Sequence, residues 1–305
     1  MLSQALSYAS RPSRIFIRSD DAIDRAGSGT PSNFVLPLIE NVLDCKAVQL
    51  LSCRIPNDIP QVPNYQRYFI YRVGTSYRAF MLDHNVGYSQ RYYADFTALV
   101  AQLNVDSAYW IPFTGTPLKR SDFLAAVAQT PDVTFSYDSA TRKIAMNNVT
   151  IASTITLGSE QDFVYIISSQ EVVKPYLYLN FLLGYETRRS FISQFPPLTP
   201  ASTYYPLGWA NLVGTQTIYI VSNLVMNGTY TSDGLRNVLE AVPVANTPIL
   251  DIITYQSSQR HYIYSVPSTI GTITIQLLDE NGQQIYLPEN SQVELTIGCV
   301  YEGEI

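Results

Sequence analysis

TITIQLLDENGQQIYLPENSQVELTIGCVY, residues 272–301, is the stretch on which the fold turns. Thr272-Ile273-Thr274-Ile275-Gln276-Leu277 alternates polar and apolar, which puts Ile273, Ile275 and Leu277 on one face of a strand. Val293, Leu295, Ile297 and Cys299 repeat the period of two, with Glu294 and Thr296 facing the other way. Between them, Asp279-Glu280-Asn281-Gly282 is a turn signal, and Asn-Gly suits the positive φ of a type I′ turn. Two half-buried strands of this length need a second sheet over their apolar faces. The rest of the chain has to supply it.

At 305 residues there is room for one large all-β domain or two smaller ones. Charged residues make up only 14%, and the 23 tyrosines outnumber the 19 lysines and arginines. A surface poor in charge and rich in Tyr suits contact, since Tyr is apolar in body and polar at its tip. A tyrosine-rich β core accounts for about half of these residues. Met1–Pro12 lacks the charged start and apolar core of a secretory signal, and no run approaches the ~18 apolar residues of a membrane span. Three cysteines fit a reducing compartment. Cys45 and Cys53 fall on one strand, roughly 26 Å apart and beyond disulfide reach. Asn148-Val149-Thr150 and Asn227-Gly228-Thr229 match the glycosylation pattern but lack the secretory context.

Working outward from the closing strands, residues 1–12 read as a polar N-terminal arm. Strands are predicted at Arg14–Ser19, at Phe34–Leu38 (where Pro37 argues for an edge or bulge) and at Lys46–Ile55, with a loop over Ser19–Pro31. Arg67–Val73 and Tyr77–Leu82 form a pair around Gly74-Thr75-Ser76. After Leu82 the period changes. Phe96, Leu99, Val100 and Leu103 have i, i+3, i+4, i+7 spacing, which predicts an amphipathic helix over Tyr93–Asn104. Ser121 is the expected N-cap of a shorter helix to Gln129. A hairpin over Val133–Met146, strand from Val149 to Ile155, strand at Phe163–Ile167 and a helix opened by Pro175 and closed by Gly184 follow. Arg188–Pro206 is Pro-, Ser- and Tyr-rich and reads as loop. Strands return at Gln216–Ser222, Asn237–Val244, Leu250–Tyr255 and His261–Val266. Both chain ends thus make one β domain, with an α+β segment between them.

No constellation of catalytic side chains stands out. The two histidines, His84 and His261, lie in separate regions, and a metal site of the cupin type needs several close together. There is no Gly-x-Ser-x-Gly elbow, and no Cys has a nearby His. Gly27-Ser28-Gly29 has neither a Lys nor a helix after it, so it reads as a flexible loop. Asp20, Asp21 and Asp24 lack the Gly and terminal Glu of a calcium loop. Asp279-Glu280 is explained by turn chemistry. No catalytic residue, cofactor-binding residue or metal ligand is assigned, and the chain is not expected to be an enzyme. Basic residues show only the isolated pairs Lys119-Arg120 and Arg188-Arg189, which disfavours direct nucleic-acid binding. Residues 1–80 carry nine Lys/Arg against six Asp/Glu, while residues 235–305 carry two against eight. That polarity would guide head-to-tail packing of copies, or would pair within one subunit if the first and last strands are neighbours.

The stretches RIFIRSDDAIDRAGSGTPSNFVLPL (14–38) and AVQLLSCRIPNDI (47–59) resemble the first strands of the penton (minor capsid) proteins of virophages and related Polinton-type elements. TIYIVSNLV (217–225), NVLEAVPV (237–244), TITIQLLDENGQQIYL (272–287) and QVELTIGCVYE (292–302) are similar to their ending, and YLNFLLGYE (178–186) to a central segment. The likeness covers about half of the chain, rests on the order of the pieces, and is greatest to the mavirus-type penton. It implies a mainly β protein, a single jelly-roll β-sandwich with an α+β insertion. The jelly roll would span 13–84 and 209–305, and the insertion 85–208. It further implies a structural capsid protein in homopentamers at icosahedral five-fold vertices. Such a protein is made and assembled in the host cytoplasm and resides in the virion. Its partners would be copies of itself, a double jelly-roll major capsid protein, and a host surface or giant-virus component. The alternative from the residues is a carbohydrate- or receptor-binding β-sandwich. In a jelly roll the last two strands lie in opposite sheets, so the turn at Asn281-Gly282 has to belong to a small ribbon over Leu278–Leu287. Pro288–Ser291 would then cross to the final strand.

Overall fold

The computed structural model describes residues 12–62, 67–83, 93–150, 152–158, 160–168, 179–185, 197–206, 210, 214–226, 229–231, 234–244, 247–248, 251–258, 262–264 and 266–302. Strand β1 (Arg14–Arg18) turns Ile15 and Ile17 inward and Arg14, Phe16 and Arg18 outward. Where the sequence predicts a loop over 19–31, the chain forms helix α1 (Ser19–Ala26). Asp20 and Asp21 lie in its first turn, where negative charge is favoured, and Ala22 is buried. Gly27 closes the helix at φ 69, its N–H donating to the Ile23 carbonyl (2.8 Å). Strand β2 (Gly29–Thr30) then pairs with β3 (Asn33–Leu43), and β4 (Ala47–Pro56) follows. The register of β3 is irregular between Pro37 and Val42, consistent with a proline that cannot donate to the ladder.

The middle of the chain begins with the hairpin β5 (Tyr68–Val73) and β6 (Ser76–Met81), joined at Gly74, φ 59. Helix α2 (Phe96–Asp106) is capped by Asp95, whose carboxylate accepts from Ala98 N–H at 2.8 Å. It buries Leu99, Val100 and Leu103. After β7 (Ile111–Pro112) comes α3 (Arg120–Leu124), shorter than predicted. Its cap is Lys119, whose N–H donates to Asp122 (2.7 Å), so Asp122 does the work expected of Ser121. The hairpin β8 (Val133–Asp138) and β9 (Lys143–Asn148) is as read, and β10 (Ile155–Leu157) is a short strand. Phe163–Ile167, read as a strand, belongs to helix α4 (Glu160–Ile166) and the bridge residue after it. Phe163, Ile166 and Ile167 are buried at helical spacing while Val164 and Tyr165 face outward. Helix α5 (Leu179–Leu182) ends at Gly184, φ 84, and β11 (Thr203–Tyr204) pairs with β9. The predicted start of α5 at Pro175 lies outside the described residues, as does most of the segment 188–206 before 197.

The chain then returns to long strands: β12 (Thr217–Ser222), the small hairpin β13 (Thr229–Thr231) and β14 (Gly234–Arg236), β15 (Val238–Pro243), β16 (Ile252–Gln256), β17 (Thr269–Leu278) and β18 (Glu294–Val300). From the predicted strand 261–266 only the bridge Ile263 to Val48 is present among the described residues. One sheet runs β1-β18-β4-β16 and the other β15-β12-β17-β3-β2, all antiparallel. With β1, β3, β4, β12, β15, β16, β17 and β18 numbered one to eight along the chain, the sheets read 1-8-3-6 and 5-4-7-2. This is the strand order of an eight-stranded jelly roll. Ile273, Ile275 and Leu277 of β17 and Leu295 and Ile297 of β18 share one buried cluster, so the two sheets cover each other.

The closing turn is a correction in detail. Gly282 has φ 71, but Asn281 does not have the positive φ that a type I′ turn demands. Gly282 N–H donates to the Asp279 carbonyl (2.9 Å) and Asp279 N–H to the Gln283 carbonyl (2.8 Å), a three-residue loop with a glycine bulge. Asp279 holds it, accepting from Asn281 and Gln283 N–H (both 2.8 Å). The ribbon continues through Ile285 N–H to Leu277 (3.0 Å), and β18 lies in the opposite sheet from β17.

Two compact units result, one from the two ends of the chain up to Ile59 and from Thr215, the other Pro60–Gly214. The sequence reading put these boundaries at 84/85 and 208/209. The hairpin β5–β6 belongs to the second unit because it is apolar on both faces. Phe69, Tyr71, Phe80 and Leu82 enter one cluster, and Tyr68, Ile70, Ala79 and Met81 another. A strand buried on both sides belongs inside a layered core.

Candidate assembly surface

Among the described residues, β1 and β16 are the edge strands of the sheet β1-β18-β4-β16. Inward burial of Ile15, Ile17 and Ile253 forces their neighbours outward, leaving Phe16 72% and Ile252 43% exposed on these edge strands. On β3 the irregular segment leaves Ile39 86% exposed. Between the edges run charges. Arg54 pairs with Glu294 at 3.2 Å and Arg18 reaches the same carboxylate at 4.0 Å, while Lys46 meets Glu302 at 4.0 Å. The basic N-terminal strands and the acidic C-terminal strand therefore pair within one chain, because the strand order makes β1, β18 and β4 neighbours. The second unit has its own apolar exposure, with Phe113 and Tyr165 in edge-to-face contact at 4.8 Å and Leu124, Val127 and Val164 open to solvent.

His84, His261 and Arg188-Arg189 lie outside the described residues, as does Asn227. Asn148 is buried, its amide donating to the Ser153 and Leu198 carbonyls (both 2.9 Å), so the folded chain does not offer it as a glycosylation acceptor. Asp20, Asp21 and Asp24 lie on α1, and Gly27 ends that helix. Lys119 and Arg120 open α3. Cys45, Cys53 and Cys299 are buried free thiols, with Cys53 pushed up to about 12 by burial. Among the described residues no group of three or more His, Cys, Asp or Glu is placed to hold a metal ion, and no helix is long and apolar enough to cross a membrane.

Two polar networks in the second unit have no local signal in the sequence. Arg67 and Asp83, 3% and 1% exposed, pair at 3.5 Å. The Tyr93 hydroxyl donates to Asp83 at 2.8 Å, and Asp83 N–H donates to the Asp106 carboxylate (2.6 Å), which also accepts from Gln102 (3.0 Å). Burial, then the Asp83 charge, raises the Tyr93 hydroxyl far above the usual tyrosine range. In the second network Arg78 bonds Asp132, Asp132 accepts from Tyr71 (3.0 Å), and the Arg78 guanidinium stacks on Trp110 at 3.8 Å. Burial likewise raises Tyr71, reinforced by Asp132. Each carboxylate here accepts from donors of the protein itself, which ties strand ends to helix α2 and to the turn before β8. These are fastenings of the fold.

No family model matches the chain, and no curated protein matches it. Among solved structures it is similar to the mavirus penton protein, at 11% identity over 94% of this chain and 99% of that one, with a TM-score of 0.41. It is also similar to a chain of the Sputnik virophage structure, at 13% identity over 96% and 99% of the two chains, with a TM-score of 0.38.

Proposed function

We propose that this chain is a structural capsid protein, forming homopentameric pentons at the five-fold vertices of an icosahedral particle beside a double jelly-roll major capsid protein. One observation carries the reading. Six of the seven stretches that resemble virophage pentons fall, in order, on β1 and β3, β4, β12, β15, β17 and β18, strands of a single jelly roll, and the seventh, 178–186, includes α5 of the second unit. A jelly roll alone does not choose among capsid, lectin and cupin roles; the ordered resemblance is what favours the first. Exposed apolar residues on both edge strands suit a ring in which one side of each subunit meets a different side of the next. With the charges already paired inside the subunit, apolar burial would supply most of the association energy. Residues 1–12 would serve as an arm ordered by a neighbouring chain; deleting them should leave the melting temperature unchanged and weaken incorporation into particles.

The test is co-expression with a double jelly-roll capsid protein, electron microscopy of the particles, and native mass spectrometry of the chain alone. Pentamers in solution and density for this chain at the vertices are expected. Particles whose vertices lack it would overturn the reading. The second reading, a carbohydrate- or receptor-binding sandwich, draws on the exposed Tyr165, which meets the half-buried Phe113 edge-to-face. Saturable glycan binding by a monomer, lost in Tyr165→Ala, would support it.

A further inference from the structure

We propose that the second unit carries a binding site for a neutral pyranose, where helix α4 meets the outermost row of the sheet β10-β5-β6-β7. This site rests on the ring pair of the second reading above and is compatible with a place in a capsid. Sheet register builds one side of it. Thr156 lies opposite Arg72, Arg72 opposite Tyr77, and Phe113 N–H donates to the Tyr77 carbonyl at 2.9 Å. Thr156, Arg72, Tyr77 and Phe113 therefore form one row across four strands. The row continues the face of Ile70 and Ala79, since side chains two positions apart along a strand share a face. Phe163 and Ile166 of α4 close that face into a core. The row beyond the core is only half-buried.

The helix supplies the other side. Asp162 and Tyr165 are three positions apart on α4 and share one of its faces. The Tyr77 hydroxyl donates to Asp162 at 2.6 Å, and Tyr165 meets Phe113 at 4.8 Å with the rings inclined at 68°. Arg72 lies over the Tyr77 ring at 5.8 Å. Its Nε is buried without a hydrogen-bond partner among the described residues, so turning the guanidinium toward an incoming hydroxyl loses no bond at that atom. Tyr165 is 59% exposed. An open ring beside a carboxylate, a guanidinium and two hydroxyls suits a ligand that is apolar on one face and hydroxylated at its rim. A pyranose has that form. Its C–H face stacks on Tyr165, while its hydroxyls donate to Asp162 and accept from Arg72. Contact with Phe113 already restrains the Tyr165 ring, so binding costs little further side-chain freedom. One Asp against one Arg leaves no net charge, which favours a neutral sugar over a sialylated or sulfated one.

The experiment places the folded full chain on an array of neutral, sialylated and sulfated glycans. Methyl β-galactopyranoside and methyl β-glucopyranoside are then titrated and followed by saturation-transfer NMR. Saturable binding of neutral glycans is expected, with transfer strongest at the C–H protons of one sugar face. Tyr165→Ala should weaken it about tenfold or more, while Tyr165→Phe keeps the ring and the binding. Arg72→Lys keeps the charge but loses the planar fork, and should weaken binding by a smaller factor. Phe16→Ala, on β1 of the jelly roll, should leave it unchanged. Tyr165 and Phe16 are exposed, so their variants should melt as the wild type does and remain decisive even if Arg72→Lys fails to fold. Native mass spectrometry of the same samples reads assembly separately. Glycan binding by a pentamer would support this site and reject a monomeric binding module. Pentamers that bind no neutral glycan would overturn the site and leave the capsid reading standing. Binding that survives Tyr165→Ala, a preference for sialylated glycans, or pentamers broken by Tyr165→Ala with no glycan bound would each overturn the proposal.

Discussion

The jelly roll and the second unit bury their residues with different chemistry. The jelly-roll cluster is Ile, Leu and Val almost throughout, with Phe34 and Tyr301 as its aromatic members. The second unit is built around rings. Phe69 stacks on Phe80 at 5.1 Å and meets Phe135 and Tyr185 edge-on at 5.4 and 6.1 Å, while Tyr68 packs on Phe123 at 5.1 Å. Buried tyrosines bring hydroxyls with them, and each needs an acceptor. Tyr185 donates to the Ile144 carbonyl (2.7 Å), Tyr71 to Asp132, and Tyr93 to Asp83. An aliphatic sandwich asks only that apolar residues recur every second position. An aromatic core with ion pairs asks for particular partners at particular angles, and it should therefore be more sensitive to polar truncation and to pH.

The sharpest test of that contrast is Asp83→Ala, which leaves the Arg67 charge buried without its carboxylate. A loss of ~3–5 kcal/mol in urea denaturation of the second unit is expected, with much of it recovered in the double variant Arg67→Met/Asp83→Leu. A loss below about 1 kcal/mol would erase the distinction from the surface pairs of the jelly roll. Next in size, Leu99→Ala on α2 should cost ~2–5 kcal/mol, since the side chain is fully buried among rings that cannot collapse freely. Ile275→Val in the jelly roll removes one methylene and should cost ~0.5–1.5 kcal/mol. Equal losses would mean the two cores respond alike.

Alkaline pH separates the units in another way. Burial raises Tyr185 well above the usual value of 10.0, as it does Tyr71 and Tyr93. In the unfolded chain these tyrosines ionise near pH 10, whereas in the folded unit they keep their protons. Above pH 10 the unfolded state binds fewer protons, so the stability they contribute is intact below that pH and lost as pH rises. Each accounts for about 1.4 kcal/mol per pH unit, and Tyr185→Phe should flatten the slope by that amount in melts from pH 8 to 11.5. An unchanged slope would show that Tyr185 ionises alike in both states. The smallest effect belongs to the jelly-roll surface. Glu294→Gln breaks the exposed contacts to Arg18 and Arg54 and should cost under about 1 kcal/mol, less still at high salt. A loss of several kcal/mol would make the sandwich as dependent on charge as its neighbour.

Where local pattern and tertiary demand agree, the sequence is readable. Ile15 and Ile17, Phe34 and Leu36, Ile273, Ile275 and Leu277 of β17 and Leu295, Ile297 and Cys299 of β18 face the core as their alternation requires, and α2 buries the Leu99, Val100 and Leu103 stripe. The ribbon after Leu278 follows from Asn281-Gly282 together with the need to change sheets. The failures have identifiable causes. Phe163-Val164-Tyr165-Ile166-Ile167 has strand-forming side chains, yet three of them are wanted on one helical face by the cluster around Tyr68 and Phe123. Helix α1 was hidden because Asp20, Asp21 and Gly27 serve equally as loop residues and as helix start and stop.

By itself, then, the order of residues determined which segments alternate and where the chain must turn, because these are set by neighbours within a few positions. Tertiary structure decided what has no local period. It assigned β5 and β6 to the second unit through burial on both faces, joined Arg67 to Asp83 and Asp83 to Asp106, and paired Arg54 with Glu294 within one chain. Contacts between residues tens or hundreds of positions apart depend on strand order and register, which only the packed sheets specify.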